Sequence, residues 1–265
     1  MKIHPTAIVE DGAQLADDVE VGPYALIGPE VVIGPGCRIQ AHAVITSKAT
    51  IGERNLIGYG AIIGAAPQDL AHNDSIVSEV RIGDGNTIRE YVTMHRGSKE
   101  GTATTIGNDC FIMGGCHFAH NVRIGNRVIL ANNSLFAGYA SVDDNVVTGG
   151  GSVFHQFMRI GKNVMTRGGT RFSKDIPPYC LGDERKIAGL NVVGLRRAGF
   201  KPETRKEIRR AFDLIYRSGL NVTQALAESA GMEWGPEARV FLDFIRESRR
   251  GICGFKGGSS DDEND

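Results

Sequence analysis

The sequence predicts an all-β solenoid, a parallel β-helix, followed by an α-helical C-terminal region. Three observations support this prediction: aliphatic residues recur every six positions, small residues recur two positions before them, and glycine is abundant, with 35 among 265 residues. An α-helix would repeat every 3.6 residues and a flat strand every two, so neither explains a period of six. Hexapeptide repeats are typical of parallel β-helices.

The large interior residue of each repeat can be followed through most of the chain. It occupies every sixth position from 3 to 63, then from 82 to 94, and again from 106 to 172. With three walls per coil, one coil takes 18 residues and rises about 4.8 Å, the spacing of paired strands. The repeats therefore predict about nine coils, stacked at that spacing. Glycine often follows the large residue, and we expect it to supply a positive φ at a tight corner.

The smaller residue of each repeat fits the narrow corner of the coil. Along the first series this position holds, in order, Ala7, Ala13, Val19, Ala25, Val31, Cys37, Ala43, Ala49, Asn55 and Ala61, of which Asn55 is the exception. Cys110 and Cys116 occupy the same slot, so we expect these thiols to be structural. Five cysteines without a metal-like pair fit a reduced cytoplasm, and cytoplasmic localisation is the expectation.

Two interruptions of the repeat divide the predicted solenoid, which spans residues 1–178. The segments near 65–79 and 96–104 should leave the wall as loops, and loops of this length are usually functional. Residues 179–256 are expected to form a helical domain that covers the open end, with helices over 202–219, 222–230 and 236–250. Residues 257–265 are polar and acidic, which predicts a disordered tail.

Charge and hydropathy exclude several classes of function. The net charge of −1 gives no support for nucleic-acid binding, and no apolar run reaches the 18 or so residues that span a bilayer. The first residues lack the apolar core of a signal peptide. Residues 185–217 carry ten basic and three acidic side chains. This stretch is either an ordinary solvated face or a docking patch for an acidic partner or a phosphorylated ligand.

The 18-residue coil places one histidine beside a glycine. His120 follows an interior position by two residues, so its side chain should point out of the solenoid, as should those of His95, His117 and His155. Gly138 stacks one coil beyond His120, and Gln156 one coil further. An imidazole beside an exposed backbone N–H is a plausible general base beside an oxyanion site.

Several segments give the chain a close resemblance to the UDP-N-acetylglucosamine O-acyltransferase family, which begins lipid A synthesis. The resemblance runs from His4 to Gly251. The segments that carry it are Gln68-Asp69-Leu70, His95-Arg96-Gly97, His117-Phe118-Ala119-His120, Ile129-Leu130-Ala131-Asn132-Asn133, Val142-Asp143-Asp144, His155-Gln156-Phe157, Asp175-Ile176-Pro177-Pro178-Tyr179 and Leu214-Ile215-Tyr216-Arg217-Ser218-Gly219.

The resemblance implies a left-handed β-helix, a homotrimer with active sites between subunits, and transfer of an (R)-3-hydroxyacyl chain from acyl carrier protein to the 3-hydroxyl of a UDP-sugar. No metal or other cofactor is implied, because the donor is a phosphopantetheine thioester. The implied catalytic residues are His120, Asn121 and Gly138. The implied substrate-binding residues are Gln68, Asp69, His95, His117, Tyr139, His155, Gln156, Gly168, Asn191, Arg196 and Arg197, with Gly168 where the family measures acyl length.

The chain departs from the family pattern at some of these positions. Asn121 stands where the family usually has Asp; its amide oxygen can accept the Nδ1–H of His120 but cannot stabilise imidazolium by charge. Tyr139 stands where the family usually has a His. Because such departures affect the contacts to the sugar nucleotide, a 3-amino acceptor sugar is an alternative substrate. Two other functions stay open: an inert binder of sugar nucleotide or carrier protein on the same scaffold, and a γ-type carbonic anhydrase with His117 and His120 as zinc ligands.

Overall fold

The computed structural model describes residues 1–46 and 48–257. The predicted tail therefore lies, apart from Gly257, outside the described residues. In chain order the strands are β1 (Lys2–Ile3), β2 (Ile8–Val9), β3 (Gln14–Leu15), β4 (Glu20–Val21), β5 (Leu26–Ile27), β6 (Val32–Ile33), β7 (Arg38–Ile39), β8 (Val44–Ile45), β9 (Lys48–Ile51), β10 (Leu56–Ile57), β11 (Ile62–Ala65), β12 (Glu79–Ile82), β13 (Thr87–Ile88), β14 (Thr93–His95), β15 (Ala103–Ile106), β16 (Phe111–Ile112), β17 (His117–Phe118), β18 (Arg123–Ile124), β19 (Ile129–Leu130), β20 (Leu135–Phe136), β21 (Ser141–Val142), β22 (Val147–Thr148), β23 (Val153–Phe154), β24 (Arg159–Ile160), β25 (Met165–Thr166), β26 (Arg171–Phe172), β27 (Cys180–Asp183) and β28 (Lys186–Leu190).

These strands build a left-handed parallel β-helix with three walls, which confirms the predicted fold class. Every third strand belongs to the same wall. Wall A runs from β1 to β25 and continues into β27 and β28, wall B runs from β2 to β26, and wall C from β3 to β24. Only the last pair of wall A, β27 with β28, is antiparallel among the described strands. The solenoid axis therefore runs perpendicular to the strands.

The register shows where the chain leaves the coil. Most paired residues are 18 apart, as in the pair of Phe118 with Phe136. Ile63 instead pairs with Met94, and Ile82 with Ile106. The segments between the flanking strands, 66–78 and 96–102, are inserted into single coils, and the wall closes on either side of them. Two loops therefore project from the solenoid without interrupting its sheets.

The interior is filled as the two residue series predict. A row of stacked rings runs through the later coils, where Phe118, Phe136, Phe154 and Phe172 have centroid separations of 5.5, 4.7 and 5.9 Å. Asn55 is also fully inside, with 1% exposure. Its amide donates to the carbonyl of Gly83 and accepts from the N–H of Asn86, so both ends of this buried polar side chain are hydrogen-bonded.

Gly64 has the expected positive φ, of 90°, but other glycines that follow the interior residue serve a different purpose. A Cβ at Gly58 would lie 2.5 Å from the carbonyl carbon of Arg89, and one at Gly34 would lie 2.7 Å from the oxygen of Gly52. At neither glycine is φ positive. Positive φ occurs instead at corner residues such as Asn121 and Tyr139. The expected positive φ was therefore wrong at these glycines, because close approach of the next coil, and not backbone strain, excludes a side chain.

The chain after residue 178 begins with two strands and then forms helices. The helices are α1 (Val192–Arg197), α2 (Pro202–Tyr216), α3 (Val222–Ser229) and α4 (Pro236–Arg246). Helices α2 and α4 face each other through Phe212 and Phe241. The segment after α4 returns to the solenoid, where the N–H of Cys253 donates to the carbonyl of Asp175. The helical region is thereby fastened to the last coil. No helix among the described residues has the length and apolar character needed to cross a membrane.

The phenylalanine row gives a stability prediction. Phe136 is fully buried between two stacked rings. Phe136→Ala should lower the free energy of unfolding by about 3–5 kcal/mol, because it leaves a cavity that the rigid coils cannot close. Phe136→Leu fills most of that volume and should cost clearly less. Guanidinium unfolding at one protein concentration measures both variants. A loss below about 1 kcal/mol for Phe136→Ala would show that the ring row does not stabilise the solenoid.

Candidate functional site

The ring of His120 lies against the backbone of the next coil at Gly138. A Cβ at Gly138 would be 2.7 Å from Cε1 and 2.9 Å from Nε2 of His120, so only glycine leaves room for the ring. The N–H of Tyr139 donates to the carbonyl of His120 at 3.1 Å. The 18-residue spacing predicted this adjacency. Among the described residues, no backbone carbonyl accepts from the N–H of Gly138.

Asn121 holds the other side of the His120 ring. Its Oδ1 lies 3.0 Å from Nδ1 of His120 and also accepts from the backbone N–H and the hydroxyl of Ser98, both at 3.0 Å. The Ser98 hydroxyl is 3.1 Å from the hydroxyl of Tyr139. The ring of Tyr139 packs edge-on against His120 and stacks on Phe157. The sequence did not identify Ser98; only its position in the second interruption of the repeat could have drawn attention to it.

His95 and His117 form a pair of histidines on wall B, in strands β14 and β17. The rings of His95 and His117 are 5.2 Å apart, and Nδ1 of His117 is 2.8 Å from the hydroxyl of Thr93. Burial lowers the pKa of His117, and the nearby His95 lowers it further. His117 is therefore neutral near pH 7 and can hydrogen-bond through both ring nitrogens.

His95 lies on the outer face of the wall, as the repeat phase predicted, but it is buried there. It points away from the solenoid core, but it is only 7% exposed. The loop 66–78 covers it, and its Nδ1–H donates to the carbonyl of Ala66 at 2.6 Å. Arg96 fastens the same loop by donating to the carbonyl of Ile76 at 2.6 Å. The outward direction agrees with the repeat phase, while the covering of the ring depends on the loop, on which the repeat phase contains no information.

Four further predicted binding residues are exposed, two on the first loop and two on a later coil. Gln68 and Asp69 are exposed on the loop 66–78, and Asp69 accepts from the N–H of Ala71. His155 and Gln156 are exposed one coil beyond Gly138, where Nδ1 of His155 is 3.2 Å from the carbonyl of Gln156. None of these four side chains contacts the His120 ring among the described hydrogen bonds.

Gly168 and Gly150 lie at the same corner of successive coils, which therefore carries no side chain at these two positions. A Cβ at Gly168 would lie 3.1 Å from the oxygen of Gly150, so the two backbones are close. The neighbouring Arg167 points elsewhere, since its guanidinium donates to the carboxylate of Asp183 at 3.0 Å. This contact directs the Arg167 side chain to Asp183, so that it does not cover Gly150 and Gly168.

The C-terminal candidates belong to helix α1 and its N-cap. Asn191 caps helix α1, accepting from the N–H of Gly194 and donating to the carbonyl of Asn163. Arg196 and Arg197 are exposed in the last turn of that helix. In the described hydrogen bonds, none of these three contacts His120, Asn121 or Gly138. Their predicted roles thus depend on a neighbouring subunit or on bound substrate.

The titratable groups of the described residues include no assembled metal site. No three His, Cys, Asp or Glu side chains are grouped closely enough there to hold an ion. His117 and His120 accordingly have no third ligand within the described chain.

Family profiles match both parts of the chain. The profile described as "Udp N-acetylglucosamine O-acyltransferase; Domain 2" matches residues 175–253. The bacterial transferase hexapeptide profile, with six repeats, matches residues 30–65 and 103–138.

Curated relatives extend the similarity over almost the entire chain. A protein of Trichlorobacter lovleyi is 51% identical, with 96% of this chain and 99% of the relative covered. A protein of Ralstonia nicotianae is 49% identical, with 95% and 97% covered. Both are named acyl-[acyl-carrier-protein]–UDP-N-acetylglucosamine O-acyltransferase.

Solved structures resemble this chain in fold as well as in sequence. A UDP-N-acetylglucosamine acyltransferase from Campylobacter jejuni superposes with a TM-score of 0.89 at 37% identity, covering 96% of this chain and all of the other. A UDP-N-acetylglucosamine acyltransferase from Bacteroides fragilis gives 0.89 at 42% identity, with 94% and 98% covered.

The cysteines give a testable prediction about their structural role. All five are buried: Cys37, Cys110, Cys116, Cys180 and Cys253. Burial raises every thiol pKa, that of Cys116 to about 11 and that of Cys253 to about 12. N-ethylmaleimide at about pH 8 should therefore label none in the native protein and all five after unfolding in guanidinium, as counted by mass spectrometry. Rapid labelling of any native thiol would contradict their structural assignment.

Proposed function

The chain belongs to the UDP-N-acetylglucosamine O-acyltransferase family, and we propose that it transfers an (R)-3-hydroxyacyl chain from acyl carrier protein to the 3-hydroxyl of UDP-N-acetylglucosamine, the first step of lipid A biosynthesis. The family membership rests on identities up to 51% over 96% of the chain among the relatives described above. The observation that carries the mechanism is the contact of the His120 ring with the backbone at Gly138.

His120 acts as the general base. Its Nε2 takes the proton of the acceptor hydroxyl as the oxygen attacks the thioester carbonyl. The C–O bond forms, the carbonyl electron pair moves onto oxygen, and the N–H of Gly138 donates to that oxyanion. When the carbonyl re-forms, the C–S bond breaks. The departing thiolate then takes the proton from Nε2, so His120 returns to its neutral state and the carrier leaves as the free thiol.

Asn121 sets the strength of this base. Its amide oxygen orients the imidazole, yet it supplies no negative charge to stabilise imidazolium. A carboxylate in this position would hold the developing cation by charge as well as by hydrogen bond. His120 is therefore a weaker base here than a histidine paired with Asp.

The histidine pair and the two loops form the sugar-nucleotide side of the site. The neutral His117, with one ring nitrogen at Thr93, has its other nitrogen for the acceptor sugar. Gln68 and Asp69 on the exposed loop 66–78 reach toward the nucleotide, and His155 and Gln156 border the cleft on the far side. Gly150 and Gly168 leave the adjoining corner bare for the acyl chain.

The outward rows of the walls support a homotrimer. On wall C every outward residue except Val32 is polar or charged. The row consists of Gln14, Val32, Thr50, Arg81, Thr105, Arg123, Ser141 and Arg159. On walls A and B several are large and exposed: Ile8, Ile62, Ile129, Leu135, Val153 and Met165. Exposed apolar side chains on two walls that share an edge fit packing of three copies around a common axis. The third wall then faces solvent.

That assembly supplies what a single chain lacks. The exposed cations Arg196 and Arg197 on α1, with Lys206 and Arg209 on α2, lie on the helical region and make no ion pair among the described residues. In a trimer they come near a neighbour's cleft, where they bind the diphosphate and the acidic carrier protein. Both substrates are cytoplasmic molecules, and the reduced, buried thiols fit that compartment.

An assay with purified protein tests the activity. Carrier proteins bearing (R)-3-hydroxyacyl chains of several lengths should each be tested with UDP-N-acetylglucosamine and its 3-amino analogue. We expect a 3-O-acyl UDP-sugar and free carrier thiol, detected by mass spectrometry. His120→Ala should lower kcat/KM by at least about 100-fold, since general-base catalysis contributes that much or more.

Two results would contradict this assignment. Tight binding of both substrates without turnover would indicate an inert binder, and retained turnover in His120→Ala would exclude the base. The oligomer size of the variant must match the parent. His4→Ala, at an exposed histidine in the first coil, is the matched control and should leave kcat/KM unchanged.

Gly138→Ala tests the contact on which the mechanism depends. Because φ at Gly138 is not positive, alanine is allowed by the backbone, and the clash falls on the His120 ring. Displacement of the ring should lower kcat about 10- to 100-fold with little change in the thermal midpoint. Gly28→Ala is the control, since its Cβ meets Thr46 at an ordinary 3.4 Å and activity should persist. Equal activity of both variants would contradict the site.

A further inference from the structure

We propose that Ser98 is a positioning residue that selects the competent tautomer of His120 by fixing the amide of Asn121. The inference rests on the proposed function, in which His120 is the base. Ser98 lies in the loop 96–102, and neither the family resemblance nor the repeat assigns it a role. Its two contacts with Asn121 are the basis of the argument.

The backbone N–H of Ser98 determines which end of the Asn121 amide faces it. A backbone N–H can only donate, so the atom 3.0 Å away must be the carbonyl oxygen. The reversed amide would place its NH₂ against this N–H, donor against donor, at a side chain that is 7% exposed. Such a buried mismatch is costly, so this N–H favours one orientation of the amide.

The oriented amide in turn determines the proton on His120. The same Oδ1 lies 3.0 Å from Nδ1, and an amide oxygen can only accept. Nδ1 of the neutral imidazole must therefore carry the hydrogen, which leaves the lone pair on Nε2. With the amide reversed, Nδ1 would accept and Nε2 would carry the hydrogen. That tautomer cannot take a proton from the acceptor hydroxyl.

The Ser98 hydroxyl reinforces this orientation. Oδ1 of Asn121 carries no proton, so the short contact with Oγ requires the serine proton. Oγ then accepts from the hydroxyl of Tyr139, whose ring is fixed by stacking on Phe157. The Asn121 backbone is also fixed, because its N–H donates to Thr104 Oγ1 and that hydroxyl donates to the carbonyl of His95. Only the side-chain amide of Asn121 remains to be oriented.

The requirement for Ser98 is specific to asparagine. A carboxylate presents an acceptor oxygen in either orientation, so an Asp at position 121 would fix the tautomer without help. The chain that carries Asn must instead orient its amide. A double-mutant cycle between positions 98 and 121 therefore separates tautomer selection from a general structural effect.

The test compares four proteins: the parent, Ser98→Ala, Asn121→Asp and the double variant. Ser98→Ala should lower kcat about fivefold in the Asn121 background, the effect of one lost hydrogen bond, with KM unchanged. In the Asn121→Asp background, whose own activity should equal or exceed that of the parent, the same change should cost less than about twofold. Ser98→Thr keeps the hydroxyl and should restore kcat. Ser75→Ala, at an exposed serine in the other loop, is the matched control.

A spectroscopic measurement on the free protein makes the inference independent of turnover. Two-bond ¹H–¹⁵N correlation spectra at alkaline pH report the tautomer of His120, assigned by its loss in His120→Gln. The parent should show hydrogen on Nδ1. Ser98→Ala keeps the backbone N–H but loses the hydroxyl donor to Oδ1 of Asn121, so it should increase the population with hydrogen on Nε2. The same tautomer in both proteins, or an equal loss of kcat in both backgrounds, would overturn the role of Ser98. Failure of acyl transfer with the tautomer shift intact would instead contradict the proposed function alone.

Discussion

The hydrogen bonds between successive coils are the constraint on which this molecule depends. Each coil donates and accepts along three short strands, and the register keeps Phe118, Phe136 and Phe154 in line through the interior. A fixed offset along the chain thereby becomes a fixed separation in space. His120 meets Gly138 only because their interior neighbours are paired. The same register brings the coils so close that side chains are excluded at glycines such as Gly58.

The rigid coil also explains how irregular segments can contribute to the site. An insertion at a corner leaves the strands on either side paired, as the wide spacing of Ile63 and Met94 shows. One loop covers His95, and the other brings Ser98 to Asn121. The wall supplies the reactive imidazole and the backbone donor, while the loops set their surroundings. Changes in loop sequence can thus tune the chemistry without altering the solenoid.

The sequence predicted the coil and its register well because both follow from one repeated spacing. That spacing located His120 beside Gly138, and it located Cys37, Cys110 and Cys116 inside the core. It could not predict the covering of His95 or the contacts of Ser98, since these depend on loop conformations that carry no repeat. It also missed strands β27 and β28, which continue wall A after the hexads end at Pro177 and Pro178. Asn191, expected to bind substrate, proves to cap a helix as well, a role visible only with α1 in place.

The central claim is that acyl transfer takes place where the imidazole of one coil meets the backbone of the next. A crystal structure of the assembled protein with bound UDP-N-acetylglucosamine tests it most directly. The account predicts the sugar 3-hydroxyl within hydrogen-bonding distance of Nε2 of His120, with the N–H of Gly138 facing the space that the thioester oxygen would occupy. A sugar seated away from His120, with that histidine facing only solvent, would contradict the account.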